Sequence, residues 1–373
     1  MHLYLHIPFC KQACHYCDFH FSTSLDKKEE MVSAIVKEMA MQKDYLNASP
    51  LKSIYFGGGT PSLLTKGELA RIFEAIHTQY SVDADAEITL EANPDDIDSK
   101  ALATWKATGI NRLSVGIQSF DGQQLKFMNR SHDAKQAENC IKQAQDAGFD
   151  NFSLDLIYGI PSESHEIWQQ NLEKALAFDI KHLSAYCLTI EEKTVFGHRL
   201  KKKKMQPIDE ELSAKQFEML LSETEKWGLE QYEISNFSKP GFHAQHNTSY
   251  WFGEPYLGIG PSAHSFNGKQ RQWNLANNAL YIKHILSENK LPFEQENLSS
   301  TERANELIMT QLRTKWGLNV YQLEEFGLDL NAFEKSLLLF EEQGLVQNKS
   351  GRLTLSGKGK LQADYIASEL FFD

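Results

Sequence analysis

Three cysteines carry the most specific chemistry in this chain. Cys10, Cys14 and Cys17 form a C-x3-C-x2-C array inside LYLHIPFCKQACHYCDF, directly after a strand-like run. Three thiolates this close suit an iron–sulfur cluster or a metal ion. A cubane has four irons, so three cysteines leave one iron free to hold a chelating molecule, such as the amino and carboxylate groups of a methionine-type cofactor. Two other readings stand beside it. One is a Cys3His zinc site with His6, His15 or His20 as fourth ligand, although zinc sites more often use paired C-x2-C knuckles. The other is chance proximity of ordinary thiols.

The elements that must position these residues alternate between two patterns. Strand-like runs cover residues 3–9, 53–56, 87–91, 112–118, 151–158 and 182–190, with helical patterns between them, for example 27–45, 66–80 and 133–147. Such alternation predicts βα units and a parallel sheet. Six units are too few for an eight-fold barrel, so the α/β class narrows to a partial (β/α)6 barrel. Chemistry in such folds gathers at the carboxyl ends of the strands, and the unusual residues fall there. They are Gly57-Gly58-Gly59-Thr60-Pro61, Glu91-Ala92-Asn93-Pro94, Gly116-Ile117-Gln118-Ser119, and Asp155 followed by Gly159-Ile160-Pro161. The glycines allow backbone to approach a ligand closely, or simply make a tight turn. Glu91 is suited to a ribose diol, or is a solvated carboxylate. Arg130 can pair with a carboxylate in bidentate fashion, or form a surface salt bridge.

Length and composition set bounds. The 373 residues predict two or three domains. An apolar content of 41% suits a substantial core, and no apolar run is long enough for a bilayer span. The N-terminus MHLYLHIPF lacks a basic n-region and a long h-region, so a cytoplasmic location is expected. Five cysteines, three of them clustered, argue against a disulfide framework, and Cys140 and Cys187 read as packing residues. The net charge of −12 disfavours nucleic acid as a partner. The basic run Lys201–Lys204 reads as a solvated loop, with transient contact to an anionic membrane surface as the functional alternative.

HIPFCKQACHYCDF resembles the cluster loop of the radical SAM superfamily, and more closely the branch holding oxygen-independent coproporphyrinogen III oxidases and HemW-type haem chaperones. The resemblance implies a [4Fe–4S] cluster on Cys10, Cys14 and Cys17, with S-adenosylmethionine on the fourth iron. It places Gly58, Gly59 and Thr60 against the cofactor's amino group. It also implies cofactor or substrate contacts for Tyr4, Tyr16, Glu91, Gln118, Arg130 and Asp155. QHNTSYWF, with His246, Asn247, Tyr250 and Trp251, resembles the HNxxYW haem motif of HemW-type proteins. A histidine beside large aromatics can ligate haem iron while the rings cover the macrocycle. The plainer reading is an aromatic loop over the barrel mouth with His246 satisfied by a carboxylate.

Beyond residue 296 the patterns predict helices over 300–315, 320–326 and 330–343, a hairpin over 345–356 with a Ser-Gly turn, and a last helix over 357–371, which together make a winged-helix-like unit. Glu334, Glu341 and Glu342 in its presumed recognition segment argue against DNA. The expected organisation is a cluster-bearing barrel over 1–238, the HNxxYW segment with a linker helix over 239–295, and the C-terminal unit over 296–373. Two departures from the oxidases matter. Phe19 stands where they carry a further cysteine, and their N-terminal extension is absent, Tyr4 lying six residues before Cys10. The expectation is therefore a haem chaperone passing haem to acceptors such as membrane respiratory enzymes, with its oligomeric state open. The alternative is a radical oxidoreductase acting on a porphyrinogen.

Overall fold

A computed structural model of the chain describes residues 1–46 and 49–373. Six parallel strands pair in chain order: β1 (His2–Ile7), β2 (Leu51–Gly58), β3 (Val82–Ala92), β4 (Arg112–Gln118), β5 (Phe152–Tyr158) and β6 (His182–Cys187). Helices between them cover the outside: α1 (Lys28–Met41), α2 (Lys66–Gln79), α3 (Ser99–Ala107), α4 (Gly122–Phe127), α5 (Ala134–Asp146) and α6 (Glu166–Ala177). One face of the sheet, with Leu3, Leu5, Ile54, Phe56, Leu90, Leu113, Leu154 and Leu183 sharing it across the strands, is apolar and buried against the inner faces of these helices. The alternate residues, among them Ser53, Glu91, Ser114, Asp155 and Ser184, turn to the inside of the barrel. Capping boxes start two of the helices, Thr65 with Glu68 on α2 and Asp133 with Gln136 on α5. The six-unit partial barrel expected from the alternation is present.

The sheet does not close on itself. After α7 (Val195–Lys201) and α8 (Glu210–Lys226), the hairpin β7 (Glu230–Glu233) and β8 (Asn236–Ser238) pairs antiparallel with β6. The chain then crosses the barrel through α9 (Gln245–Trp251) and pairs β9 (Tyr256–Ile259) parallel to the other edge, β1. Strands β10 (His264–Phe266), β11 (Gln270–Asn274) and β12 (Phe293–Asn297) extend that edge. Residues 239–295, expected as a segment of their own, thus supply three strands to the barrel's sheet. Their linker helix is α10 (Asn278–Ile282), which runs on through a π-type turn, Lys283–Ser287.

The C-terminal unit has α11 (Ser300–Gln311), α12 (Tyr321–Glu324), α13 (Asn331–Glu342) and a three-stranded sheet of Leu318–Asn319, Val346–Lys349 and Arg352–Leu355 around a separate core. The hairpin turns at Ser350 and Gly351, both with positive φ, the conformation a two-residue hairpin favours. The expected last helix is two short ones, Gly357–Lys360 and Ala363–Glu369. The unit leans on the barrel through Lys315 N–H to the Tyr232 carbonyl at 3.0 Å and Lys360 Nζ to Gln231 Oε1 at 2.7 Å. No described helix is long and apolar enough to cross a membrane.

One buried carboxylate ties the added edge to the barrel. Glu38, on the inner face of α1, is 0% exposed. It accepts from Gly260 N at 2.8 Å, Asn274 Nδ2 at 2.7 Å, Gln42 Nε2 at 3.2 Å and the Tyr281 hydroxyl. Burial pushes its pKa up, and the four donors oppose that shift. Glu38→Ala would leave these donors unpaired. It is expected to cost about 3–5 kcal/mol in urea denaturation, the range for breaking a buried charged network. An unchanged midpoint would show that the edge is held otherwise.

Candidate functional site

The cysteine loop follows β1 and is clamped at both ends and in its middle. Cys10 N–H donates to the Ser22 carbonyl at 3.0 Å and Ser22 N–H to the Pro8 carbonyl at 2.9 Å. The loop between them rests on the chain after α4. Asn129 Nδ2 donates to the Ala13 carbonyl at 2.7 Å, and His15 N–H to the Met128 carbonyl at 3.0 Å. Asn129 adopts a left-handed φ of 58°, which asparagine tolerates. The three cysteines are half-buried and unpaired.

Arg130 binds this loop to the cavity behind it. Its guanidinium donates to Cys14 Sγ at 3.2 Å and the Tyr16 hydroxyl at 3.3 Å. It also donates to Asn93 Oδ1 at 2.7 Å and the Gly116 carbonyl at 2.9 Å. The surface salt bridge weighed for Arg130 is not its environment. Burial pushes the Cys10 thiol up to about 11 and Cys17 up to about 12. Such thiols ionise only when a cation compensates them, so the donor set fits a cationic iron cluster with Arg130 supporting Cys14. No three Cys, His, Asp or Glu side chains among the described residues converge on one ion's position, a convergence that a cubane, spreading its thiolates over separate irons, does not need. The histidines considered for zinc are engaged elsewhere. His6 bonds the Tyr4 hydroxyl and the His20 carbonyl, His20 bonds Asn278 Oδ1, and His15 Nδ1 bonds the Phe127 carbonyl.

A cavity of about 600 Å³ opens behind the loop at the carboxyl ends of the strands. Cys10, Cys14, Cys17, Tyr16, Gly58, Gly59, Thr60, Glu91, Gln118, Arg130 and Asp155 all line it. Gly58 has φ 103°, and a Cβ there would lie 2.5 Å from the His6 ring, so only glycine lets β2 end against β1. Its N–H donates to Glu91 Oε2 at 3.2 Å, while the Tyr55 hydroxyl donates to Oε1 at 2.8 Å. Burial raises Glu91 to about 7. Burial likewise raises Asp155 to about 6, opposed by Ser114 and Ser153, whose hydroxyls donate to it at 3.0 Å and 3.1 Å. Gln118, at φ 64°, is a non-glycine residue in the left-handed region at the cavity wall, a place where strain often marks function.

The cavity also holds residues that the sequence reading passed over. Arg112 is 1% exposed and reaches Glu87 at 3.7 Å, with its Nε otherwise unpartnered. Its signal was a charge opening an apolar strand run. Cys187, read as packing, and the exposed Tyr186 line the cavity because β6 ends at Cys187 rather than continuing to residue 190.

The HNxxYW residues do not share one environment. Helix α9 caps its first amides on Glu87, which accepts from Gln245 N at 3.1 Å and His246 N at 3.0 Å. His246 is 1% exposed, and its ring stacks on Tyr55 at 5.0 Å. Its Nδ1 bonds Ser53 Oγ at 2.7 Å and its Nε2 bonds the Tyr250 hydroxyl at 2.8 Å. The hydroxyl of Ser53, not a carboxylate, satisfies it. Asn247 lines the first cavity. Tyr250 and Tyr4 line a second one, of about 760 Å³, closed on its far side by α11. Trp251 faces the C-terminal unit with Arg313 over its ring at 5.7 Å. Phe19, 70% exposed, borders both cavities.

Comparison with known proteins places this geometry. Residues 4–175 match the radical SAM superfamily and residues 298–361 the HemN C-terminal domain. The chain is 34% identical to a Bacillus subtilis protein named heme chaperone HemW, over 97% of both chains. It is 37% identical to the Escherichia coli protein of the same name, over 70% of this chain and 69% of that one. Mouse radical S-adenosyl methionine domain-containing protein 1, mitochondrial, is 36% identical over 70% of this chain and 60% of its own. The solved structure of Escherichia coli coproporphyrinogen III oxidase, HemN, superposes with TM-score 0.84 at 21% identity, covering 99% of this chain and 89% of the other; at that identity the likeness is one of fold.

Glu91 makes a pH prediction for the ligand-free protein. Its folded-state pKa of about 7 lies above the ordinary 4.5, so the fold prefers the neutral form. Its contribution is fully present below about pH 4.5 and is lost as pH rises through about 7, by about 3 kcal/mol. In denaturant titrations across pH 5–8, Glu91→Gln should flatten this decline. A decline of unchanged slope in the variant would assign it to other groups.

Proposed function

The chain belongs to the HemW family of the radical SAM superfamily, and from that membership we propose that it is a haem chaperone, binding haem and handing it to acceptor proteins. The family carries a [4Fe–4S] cluster and S-adenosylmethionine, and the first cavity offers a donor set for both. Cys10, Cys14 and Cys17 would hold the cluster, with Arg130 steadying Cys14 from the cavity side. Gly58, Gly59 and Thr60 would present backbone and hydroxyl to the amino group of the cofactor methionine. Glu91 would accept from its ribose, and Tyr16, Gln118 and Asp155 would shape the remainder of the pocket. When bound, the cluster supplies one-electron reduction to the sulfonium. The chain's own part is to orient the cofactor and keep water from it.

The observation that carries the reading is the position of α9. The HNxxYW helix forms the partition between the cofactor cavity, which Asn247 lines, and an aromatic-walled second cavity, which Tyr250 lines. Haem would lie in the second, where Tyr250 lines the wall with His246 hydrogen-bonded behind it, while Asn247 faces the cofactor cavity and Trp251 packs under Arg313. Membrane respiratory enzymes are the acceptors we propose, approached through the membrane surface. Lys201–Lys204, exposed at the end of α7, offers a basic contact of the kind anionic lipid attracts.

The runner-up, a radical oxidoreductase acting on a porphyrinogen, shares the fold and the cluster. Anaerobically reconstituted protein is expected to contain about four irons and no zinc, and to lose the iron in Cys10→Ala, Cys14→Ala or Cys17→Ala. With reductant and S-adenosylmethionine it should bind haem saturably and give no sustained conversion of coproporphyrinogen III to protoporphyrinogen IX. Multiple turnovers of that conversion would overturn the chaperone reading, and stoichiometric zinc would overturn the cluster.

A further inference from the structure

The second cavity has two facing walls. One is a single pleated face of the sheet, where Phe266 stands opposite both Tyr256 and Arg271 in register, and cross-strand partners share a face. The other is one stripe of α11, where Arg303, Glu306, Leu307 and Thr310 recur at i, i+3, i+4 and i+7. Arg303 lies over the Phe326 ring at 5.2 Å and has no carboxylate within ion-pair distance among the described residues. An aromatic slot with an unpaired guanidinium at its edge suits a flat macrocycle bearing carboxylates.

Tyr250 lines this slot and begins a continuous chain of hydrogen bonds. The Tyr250 hydroxyl meets His246 Nε2 at 2.8 Å, and His246 Nδ1 meets Ser53 Oγ at 2.7 Å. Ser53 Oγ meets His2 Nδ1 at 2.7 Å, and His2 Nε2 meets Glu254 Oε2 at 2.9 Å. A carboxylate only accepts, and burial holds both imidazoles neutral. The polarity of the chain is therefore fixed. His2 Nε2–H donates to Glu254, Ser53 O–H to His2 Nδ1, His246 Nδ1–H to Ser53, and Tyr250 O–H to His246 Nε2. Every proton points from Tyr250 toward Glu254, a partly exposed carboxylate on the rim of the same cavity, beside Lys52 at 3.7 Å.

Resting on the haem reading above, we propose that Tyr250 is the axial ligand of ferric haem in the second cavity and that His246 is its proton acceptor rather than an iron ligand. As the iron–oxygen bond forms, the Tyr250 O–H bond breaks and its proton passes to His246 Nε2. The Nδ1 proton moves to Ser53, the Ser53 proton to His2, and the His2 Nε2 proton to Glu254 and solvent. Iron stays ferric, no electron moves, and one proton leaves per haem bound. Tyrosinate is an established haem ligand. The Tyr250 hydroxyl already donates to His246 Nε2 at 2.8 Å, so an acceptor for its proton stands in place. His246 cannot reach iron in this arrangement, since both its nitrogens are taken and Tyr250 stands between it and the slot. The rival ligand is His264, which lines the same slot and has no hydrogen-bond partner on its ring among the described residues.

The test is a titration of ferric haem into the reconstituted full chain and its Tyr250→Phe, His264→Ala, His246→Ala and Ser53→Ala variants. The unsubstituted protein should show a phenolate-to-iron charge-transfer band and phenolate vibrations in resonance Raman. It should also release about one proton per haem into a weakly buffered indicator. Tyr250→Phe should lose all three and bind about tenfold or more weakly. His264→Ala should keep them. Ser53→Ala, which leaves the ligand but cuts the relay, should keep the phenolate vibrations with severalfold weaker binding. An imidazole-ligated spectrum in the unsubstituted protein, lost in His264→Ala or His246→Ala, overturns the assignment and leaves the haem reading standing. Absence of saturable binding by the unsubstituted protein overturns the haem reading and this assignment with it.

Discussion

A parallel sheet of six strands that stops short of closure leaves two raw edges and an open concave face, and covering them organises the rest of this molecule. The β7–β8 hairpin pairs with one edge and β9 with the other. A chain that must reach both edges has to cross between them, and α9 is that crossing. The crossing helix enters over buried polar groups of the inner strand faces. Glu87 on β3 receives its first two amides, with Arg112 of β4 on the carboxylate's other side. A charge this deep persists only with such partners. The position of the HNxxYW residues is thus a consequence of how the barrel is finished.

What could be read from the sequence is what local chemistry dictates. The cysteine spacing, the Gly57–Gly59 turn and the run of each strand and helix are patterns among residues close in sequence, and the structure brings the cysteines and the glycines to one cavity. The β9–β12 edge left no such trace. Its strands are three to five residues long, and runs such as QRQWN and FEQEN lack apolar alternation. Their place is set by partners far away in sequence. Glu38 shows why: its donors on Gly260, Asn274 and Tyr281 lie more than 220 residues downstream, and a glutamate on a helix reads as solvated until those partners are known. The same limit applies to His246. Nothing in the spelling HNTSYW says which way the imidazole turns, because Ser53 and His2, which turn it inward, come from the first two strands.

Two cavities bordered by one helix and one aromatic ring let the cofactor site and the haem site proposed above share a barrel without sharing a pocket. Phe19 lies two residues after Cys17 and borders both spaces. Phe19 is a flat apolar ring on the cluster loop, so that loop itself borders the slot in which we propose haem to lie. On the far side the slot is closed by α11 of the C-terminal unit, through Arg303 and Leu307. That unit touches the barrel by a few hydrogen bonds, by the ion pairs Arg271–Glu306 across the slot and Lys315–Glu230, and by rings such as Phe252 against Trp316 at 5.0 Å. Its own core is separate. An interface of that kind opens at lower free energy than either core unfolds. On the haem reading, the barrel with its relay is the fixed side of the slot, and the C-terminal unit, with a core of its own, is the side that can separate.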